Sequence, residues 1–166
     1  EVTTVTVDMG KAELVPAKIP VDFPGDTAVK EKITVLDKEY EVTCVSMGNP
    51  HCVIFGKDPD TIDLEKIGPH FEHFEKFPER INTEFIEVLD NHTLKMRVWE
   101  RGSGETLACG TGSTAALAVT ARLGKCGDEA DVLLRGGKLH IAWDRSQNLL
   151  YMTGPAAFVF DGTVTL

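Results

Sequence analysis

The segment LACGTGSTAALAVTARLG, residues 107–124, decides the fold. From Gly110 to Leu123 it shows no strand alternation and is built largely of alanine and other small residues. Alanine is the strongest helix former. Gly124, followed by Lys125, supplies the glycine stop and the basic residue that close a helix. The segment therefore reads as a helix over 110–123. It is apolar on nearly every side, and a helix hydrophobic all round belongs in a core. Its small side chains let strands approach closely from several directions.

Working outward, most of the chain consists of short β-type runs rich in Val, Ile and Thr. These are Val2–Asp8, Lys32–Leu36, Tyr40–Ser46, Cys52–Phe55, Thr83–Leu89, Leu94–Glu100, Val132–Arg135, Lys138–Trp143, Leu149–Met152 and Ala157–Phe160. Asp90-Asn91 and Gly136-Gly137 read as hairpin turns. Residues 61–75 read as a short helix interrupted near Gly68-Pro69. The fold class implied is α+β, a mixed β-sheet curled as a barrel-like layer around one central buried helix. No linker, repeat or low-complexity segment breaks the chain, so residues 1–166 form a single domain. The absence of a starting Met, and a first residue already inside a strand pattern, make the sequence read as a piece of something longer.

Composition narrows the function classes. The 166 residues hold 17 Lys plus Arg against 26 Asp plus Glu, a net charge of −9. That balance argues against nucleic acid as a partner, because little positive charge is available to neutralise phosphates. No run approaches the roughly 20 apolar residues of a membrane span, and no signal peptide is visible. Cys44, Cys52, Cys109 and Cys126 form no CxxC pair, so no metal site is expected. All four read as reduced thiols of a cytoplasmic protein. His70, His73, His92 and His140 show no ligand spacing.

Cys109 immediately precedes the 110–123 helix. A helix start carries unpaired N–H groups and partial positive charge. Both favour a thiolate, so the Cys109 thiol is expected to fall below its free acidity value and to alkylate before Cys44 or Cys52. The same N–H groups, at Gly110 and Thr111, can hold a carboxylate. A buried core cysteine at a cap is the plainer alternative. Upstream, Arg101 can pair with a carboxylate in bidentate fashion, and Glu100 can accept hydrogen bonds from an ammonium group. A solvated surface pair is equally compatible with those two residues. Glu105 and Thr106 shape the turn. In Gly48-Asn49-Pro50-His51, Asn49 offers a donor and an acceptor and His51 a proton relay, unless the stretch is a plain turn with a surface histidine. Asn82 binds substrate or forms an Asx turn.

The motifs GNPHCV (48–53), RINTEF (80–85) and ERGSGETLACGTGSTAA (100–116) together resemble the diaminopimelate epimerase family, over essentially the whole chain and in the right order. The last motif is highly specific. The resemblance implies a cofactor-independent epimerase that interconverts LL- and meso-diaminopimelate in lysine and cell-wall precursor synthesis, built of two similar halves and commonly a homodimer. It implies Cys109 as a catalytic cysteine and His51 and Glu100 as groups assisting the chemistry. It implies Asn49, Asn82, Glu100 and Arg101 as substrate contacts, and Gly110 and Thr111 as the cradle for the α-carboxylate. The family's other cysteine motif, of the type CGNGARC, is absent here. The chain therefore looks like the C-terminal half, unable to epimerise alone, with residues 158–166 expected to pack on the missing N-terminal half.

Three alternatives stand beside this reading. One is a proline racemase or hydroxyproline epimerase of the same fold. A second is a carboxylate-binding half-domain without catalysis. The third is a Cys–His hydrolase with His51 as base.

Overall fold

The computed structural model describes residues 2–165; Glu1 and Leu166 lie outside the described residues. Among the described residues ten strands form one sheet: β1 (Thr4–Gly10), β2 (Glu31–Val35), β3 (Lys38–Ser46), β4 (Pro50–Phe55), β5 (Asn82–Asp90), β6 (Thr93–Glu100), β7 (Gly104–Thr106), β8 (Glu129–Leu134), β9 (Gly137–Asp144) and β10 (Leu149–Pro155). Two helices accompany it, α1 (Leu64–Glu72) and α2 (Gly110–Arg122), with short 3-10 turns at Pro16–Lys18 and Pro59–Thr61. The strand order is β1-β10-β9-β8-β6-β5-β4-β3-β2, with β7 a short addition to β6. Pairing is antiparallel except between β4 and β5 and between β6 and β8, which makes the sheet mixed. The sheet is open, with β1 and β2 as its free edges.

Helix α2 answers the reading of 110–123. Residues Gly112 to Ala121 are buried without exception. The helix packs against β3, β4, β5, β6, β8, β9 and β10. Its polar residues enter the core because each hydroxyl bonds back to a carbonyl one turn earlier. Ser113 donates to Cys109 O (2.8 Å), Thr114 to Gly110 O (2.9 Å) and Thr120 to Ala116 O (2.6 Å). The helix ends in a Schellman motif: Gly124, at φ +68°, donates to Ala121 O (3.1 Å), and Lys125 donates to Thr120 O (2.9 Å). A positive φ there suits glycine.

Strands β3 to β6 are apolar on both faces, and each face has its own helix. Val45, Val53, Ile86 and Val98 point into the core around α2. Cys44, Cys52, Ile54, Phe85 and Trp99 point into a second core under α1, with Phe71 at its centre.

Four expectations are corrected. Helix α1 runs unbroken through Pro69, because a proline in a nine-residue helix forfeits only one N–H, and Asp63 caps the start by accepting from Lys66 N (3.3 Å). The turn after β5 is Asn91-His92 and the tip after β8 is Arg135-Gly136, each displaced by one residue from the glycine or acidic signal. The strand expected at Ala157–Phe160 is absent, since β10 ends at Pro155. Phe158, Val159 and Phe160 instead lie exposed.

Candidate active site

The start of α2, the loop between β3 and β4, the start of β4 and the start of β5 meet around Cys109. Cys109 is the N-cap residue of α2, with extended backbone (φ −139°, ψ 111°). Its Sγ accepts a hydrogen bond from Gly112 N at 3.3 Å and lies 3.7 Å from Thr111 Oγ1. Gly112 must be glycine at this point. A Cβ there would sit 2.7 Å from Glu84 Oε1 and 3.0 Å from Cys109 Sγ, so a methyl group would wedge the carboxyl and the thiol apart.

From Thr111 a chain of hydrogen bonds runs into the sheet. Asn49 Nδ2 donates to Thr111 Oγ1 at 3.2 Å, and Asn49 Oδ1 lies 2.9 Å from His51 Nε2. His51 Nδ1 lies 2.6 Å from Glu84 Oε1. His51 and Glu84 are both wholly buried. This corrects the idea of a surface histidine: on β4 the alternation that turns Val53 toward α2 turns His51 the same way, beneath the helix start.

Asn82 ties two loops together. Its Nδ2 donates to Pro50 O (2.8 Å), and its Oδ1 accepts from Arg101 N (2.8 Å). Asn82 thus ties the start of β4 to the loop after β6. The Arg101 guanidinium turns to Glu79 O (3.0 Å). Glu100 Oε1 accepts from Thr106 Oγ1 (2.5 Å), which pins its carboxylate to the return strand β7. The structure thereby joins Asn49, His51, Cys109 and Thr111 in one network, and Asn82 to the backbone of Arg101. It does not bring the Arg101 side chain to the thiol.

The expected acidity of Cys109 is corrected. Burial, followed by the negative charge of Glu84, pushes the thiol up to about 12, against the smaller opposing pull of Gly112 N–H and Thr111. A single helix-start N–H does not outweigh the loss of water around the thiol of a residue that is only 8% exposed. In this structure Cys109 therefore rests as a thiol.

Three buried charged groups escaped the sequence reading. Glu84 shares a strand face with Ile86 and Val88, so alternation alone places a carboxyl group in the core around α2. Glu72, on α1, accepts from Trp99 Nε1 (2.8 Å), Gly102 N (2.8 Å) and Arg80 Nη1 (3.0 Å), and so anchors the loop that carries Arg101. Arg97 grips Glu105 in bidentate fashion at 2.7 and 2.8 Å and also donates to Pro59 O and Ile62 O. Glu105 does more than shape the turn, because it neutralises a guanidinium buried in the sheet.

Against this geometry, the family model for diaminopimelate epimerase matches residues 43–159, which include every site residue named above. The chain belongs to the diaminopimelate epimerase family. A diaminopimelate epimerase of Acetivibrio thermocellus is 53% identical over 162 residues, covering 98% of this chain and 58% of the relative. One from Methanococcus maripaludis is 49% identical over 166 residues, covering the whole chain and 60% of the relative. The chain thus spans somewhat over half the length of these relatives. Among solved structures, a hydroxyproline epimerase from Agrobacterium vitis superposes with a TM-score of 0.68 at 12% identity, over 92% of this chain and half of that one. A probable proline racemase from Agrobacterium radiobacter gives 0.65 at 12% identity, over 99% of this chain and 54% of that one. At such identity these two establish the shared fold, a mixed sheet with two helices, and nothing about substrate. No helix among the described residues of this diaminopimelate epimerase family member is long and apolar enough to cross a membrane.

Proposed function

We propose that this chain is the C-terminal half of a cofactor-independent epimerase that interconverts LL- and meso-diaminopimelate, and that Cys109 is one of its two acid/base groups. The observation that carries the proposal is the Cys109 thiol at the start of α2, hydrogen-bonded to Gly112 N and linked through Thr111 to Asn49 and His51. The sheet, in this reading, curls around α2 as a barrel-like layer that presents the helix start to a cleft. The opposite wall is the N-terminal half, which supplies the other cysteine. Residues 158–165 pack on that half, giving cover to Phe158, Val159 and Phe160; Leu166, the last residue of the expected segment, lies outside the described residues. The full-length protein works as a cytoplasmic homodimer.

Inverting an α-carbon needs proton removal from one face and delivery to the other. Cys109, resting as a thiol, holds the proton to be delivered. Its thiolate, formed in a dry cleft, is in turn a strong enough base to take an α-proton back. The carbanion that forms between these steps is stabilised electrostatically. The N–H groups of Gly110 and Thr111 receive the α-carboxylate at the positive end of α2. Asn49 and Asn82 fix the substrate's polar groups. Glu100 accepts from an ammonium group, and Arg101 swings from Glu79 O to a carboxylate once substrate and the second half are in place. His51 supports the chemistry through Asn49.

The test is α-proton exchange from diaminopimelate in D2O, run with the isolated chain and with the full-length protein, and repeated with proline and hydroxyproline. The expected result is exchange and epimerisation of diaminopimelate by the full-length protein alone, abolished by Cys109→Ala. Robust epimerisation by the isolated chain overturns the two-half account. Turnover of proline instead assigns the racemase chemistry, and diaminopimelate binding without turnover by the full-length protein assigns a non-catalytic carboxylate-binding role.

A further inference from the structure

Glu84 stands apart from the residues already given roles. It is a wholly buried carboxyl group on β5. It has one partner, His51 Nδ1, at 2.6 Å, while its second oxygen, Oε2, has none. Burying a carboxyl group is costly unless it is paired. The fold nonetheless places this one within 2.7 Å of the point where a Gly112 Cβ would stand, and that same point lies 3.0 Å from Cys109 Sγ. Glu84 thus lies under the helix start, between the histidine and the thiol.

The hydrogen bonds around His51 fix how many protons the pair carries. Nδ1 faces a carboxyl oxygen, and Nε2 faces Asn49 Oδ1, because Asn49 commits its NH2 to Thr111. A neutral imidazole has one N–H. Beside a carboxylate, that single N–H could serve only one of the two contacts and would leave a lone pair against an oxygen at the other. Both contacts are satisfied when the pair holds one more proton, as an imidazolium against a carboxylate. A separation of 2.6 Å fits such a charge-assisted bond.

We propose that Glu84 is a positioning residue of the reaction: by sharing a proton with His51 it holds the ring doubly protonated, so that a positively charged imidazolium, and not a neutral ring, faces Asn49 and the chain that runs through Thr111 to the thiol. The proposal rests on the reading of Cys109 as an acid/base group. The Glu84 charge stays inside the protein. It is balanced by His51, whose ring bridges it to Asn49, and the carboxylate also acts directly on the Cys109 thiol, which it raises. If Glu84 loses its charge, the ring keeps a single N–H and a neutral group faces Asn49 in place of a cation. The groups facing Glu84 are His51 from β4 and Cys109 and Gly112 from the start of α2; Cys52, on the opposite face of β4, feels its charge only through the sheet.

The test compares Glu84→Gln and Glu84→Leu with the parent in the full-length protein. Glu84→Gln keeps the shape, and its amide can donate to Nδ1, but it cannot share a proton. It should lower kcat for diaminopimelate by at least about 10²-fold, the lower end of what a positioned acid/base group contributes. KM should change by less than about threefold, because the residue touches no substrate. A role in packing alone would leave kcat of Glu84→Gln near the parent value while lowering the stability of Glu84→Leu, and that result overturns the proposal. A second readout does not depend on turnover. In 15N NMR of the histidine side chain, His51 of the parent should show hydrogen on both ring nitrogens, and the Glu84→Gln variant on Nε2 alone. A parent ring with a single N–H overturns the proposal even in an active enzyme. A parent inactive on diaminopimelate, but with the doubly protonated ring, overturns the assigned reaction and leaves the pair in place.

Discussion

Gly68→Ala puts a number on how tightly α1 is laid against the sheet. Gly68 lies in the middle of α1, buried, over the face of Trp99 on β6. A Cβ at residue 68 would come 2.6 Å from Trp99 Cγ and closer still to Cδ2 and Cε3. Ordinary carbon contacts lie near 3.5–4.0 Å. The ring cannot swing away, because its Nε1 donates to the buried Glu72 carboxylate at 2.8 Å. Two effects oppose each other. Alanine gains about 0.5–1 kcal/mol over glycine in a helix interior, whereas overpacking a close-packed core costs about 1–3 kcal/mol. With a rigid, anchored ring as the obstacle the cost lies at the upper end, for a net loss of about 2 kcal/mol. For a domain of 150–250 residues that lowers Tm by roughly 4–8 °C. The assay is thermal unfolding by circular dichroism of the parent, Gly68→Ala, Trp99→Leu and the double variant. In the Trp99→Leu background the obstacle is gone, so Gly68→Ala should be neutral or should raise Tm by a degree or more. A coupling below about 0.5 kcal/mol, the level at which distant sites simply add, refutes the argument that the ring dictates the glycine.

Further outcomes follow from the same geometry. Because Cys109 is pushed up to about 12, iodoacetamide labelling of Cys109 in this chain should accelerate about tenfold per pH unit from pH 7 to pH 9 without levelling off. A plateau below pH 9, read by peptide mapping, would mean that the helix start outweighs burial after all. Glu105→Gln leaves the Arg97 guanidinium buried without its countercharge and should cost about 3 kcal/mol of stability in urea unfolding. The Arg97 hydrogen bond holds the Glu105 carboxyl below its usual value, so its contribution is complete above about pH 4.3 and is lost as pH falls further. The parent should lose stability on acidification below that point, and Glu105→Gln should lose less; equal losses refute the pairing as the cause.

How far the sequence could be read depended on whether the deciding contacts were local. Helix α2 was legible because its composition, its cap and its glycine stop all lie within 107–125. The strands were legible from β-branched runs, and their faces from alternation. The turns were less so, because tertiary contacts chose among neighbouring candidates. Gly136 donates to Leu107 O at 2.7 Å, and a Cβ there would meet the same oxygen at 2.9 Å. That glycine exists for the close approach of residue 107, and the hairpin tip shifts to Arg135-Gly136 to allow it. The Leu36-Asp37 turn carries positive φ at both residues (48° and 62°) with neither Asn nor Gly, so no local signal marks it. At the site, the motifs named the residues but not their partners. Nothing near Glu84 in sequence hints at His51, 33 positions away.

The same contrast between local and distant causes sets the acidity of Cys109. The helix-start argument is local and has the right sign: Gly112 N–H does lower the thiol. The opposing causes are not local. Desolvation arises because β3, β4, β5 and β10 all close on α2, and the Glu84 charge arrives from a different strand. The small residues that make α2 all-buried therefore also raise the thiol placed at its tip. A helix with larger, more polar residues would let water in and free the thiolate, but would not let seven strands converge. Burial and proton-holding are thus one consequence of one composition. A substitution that loosens the packing around the start of α2, such as Val53→Ala beneath the helix, should cost core stability and bring the Cys109 labelling profile to lower pH in the same protein. The two changes measured together, by urea unfolding and by labelling rate, test that link directly: a destabilised variant whose labelling profile stays in place would break it.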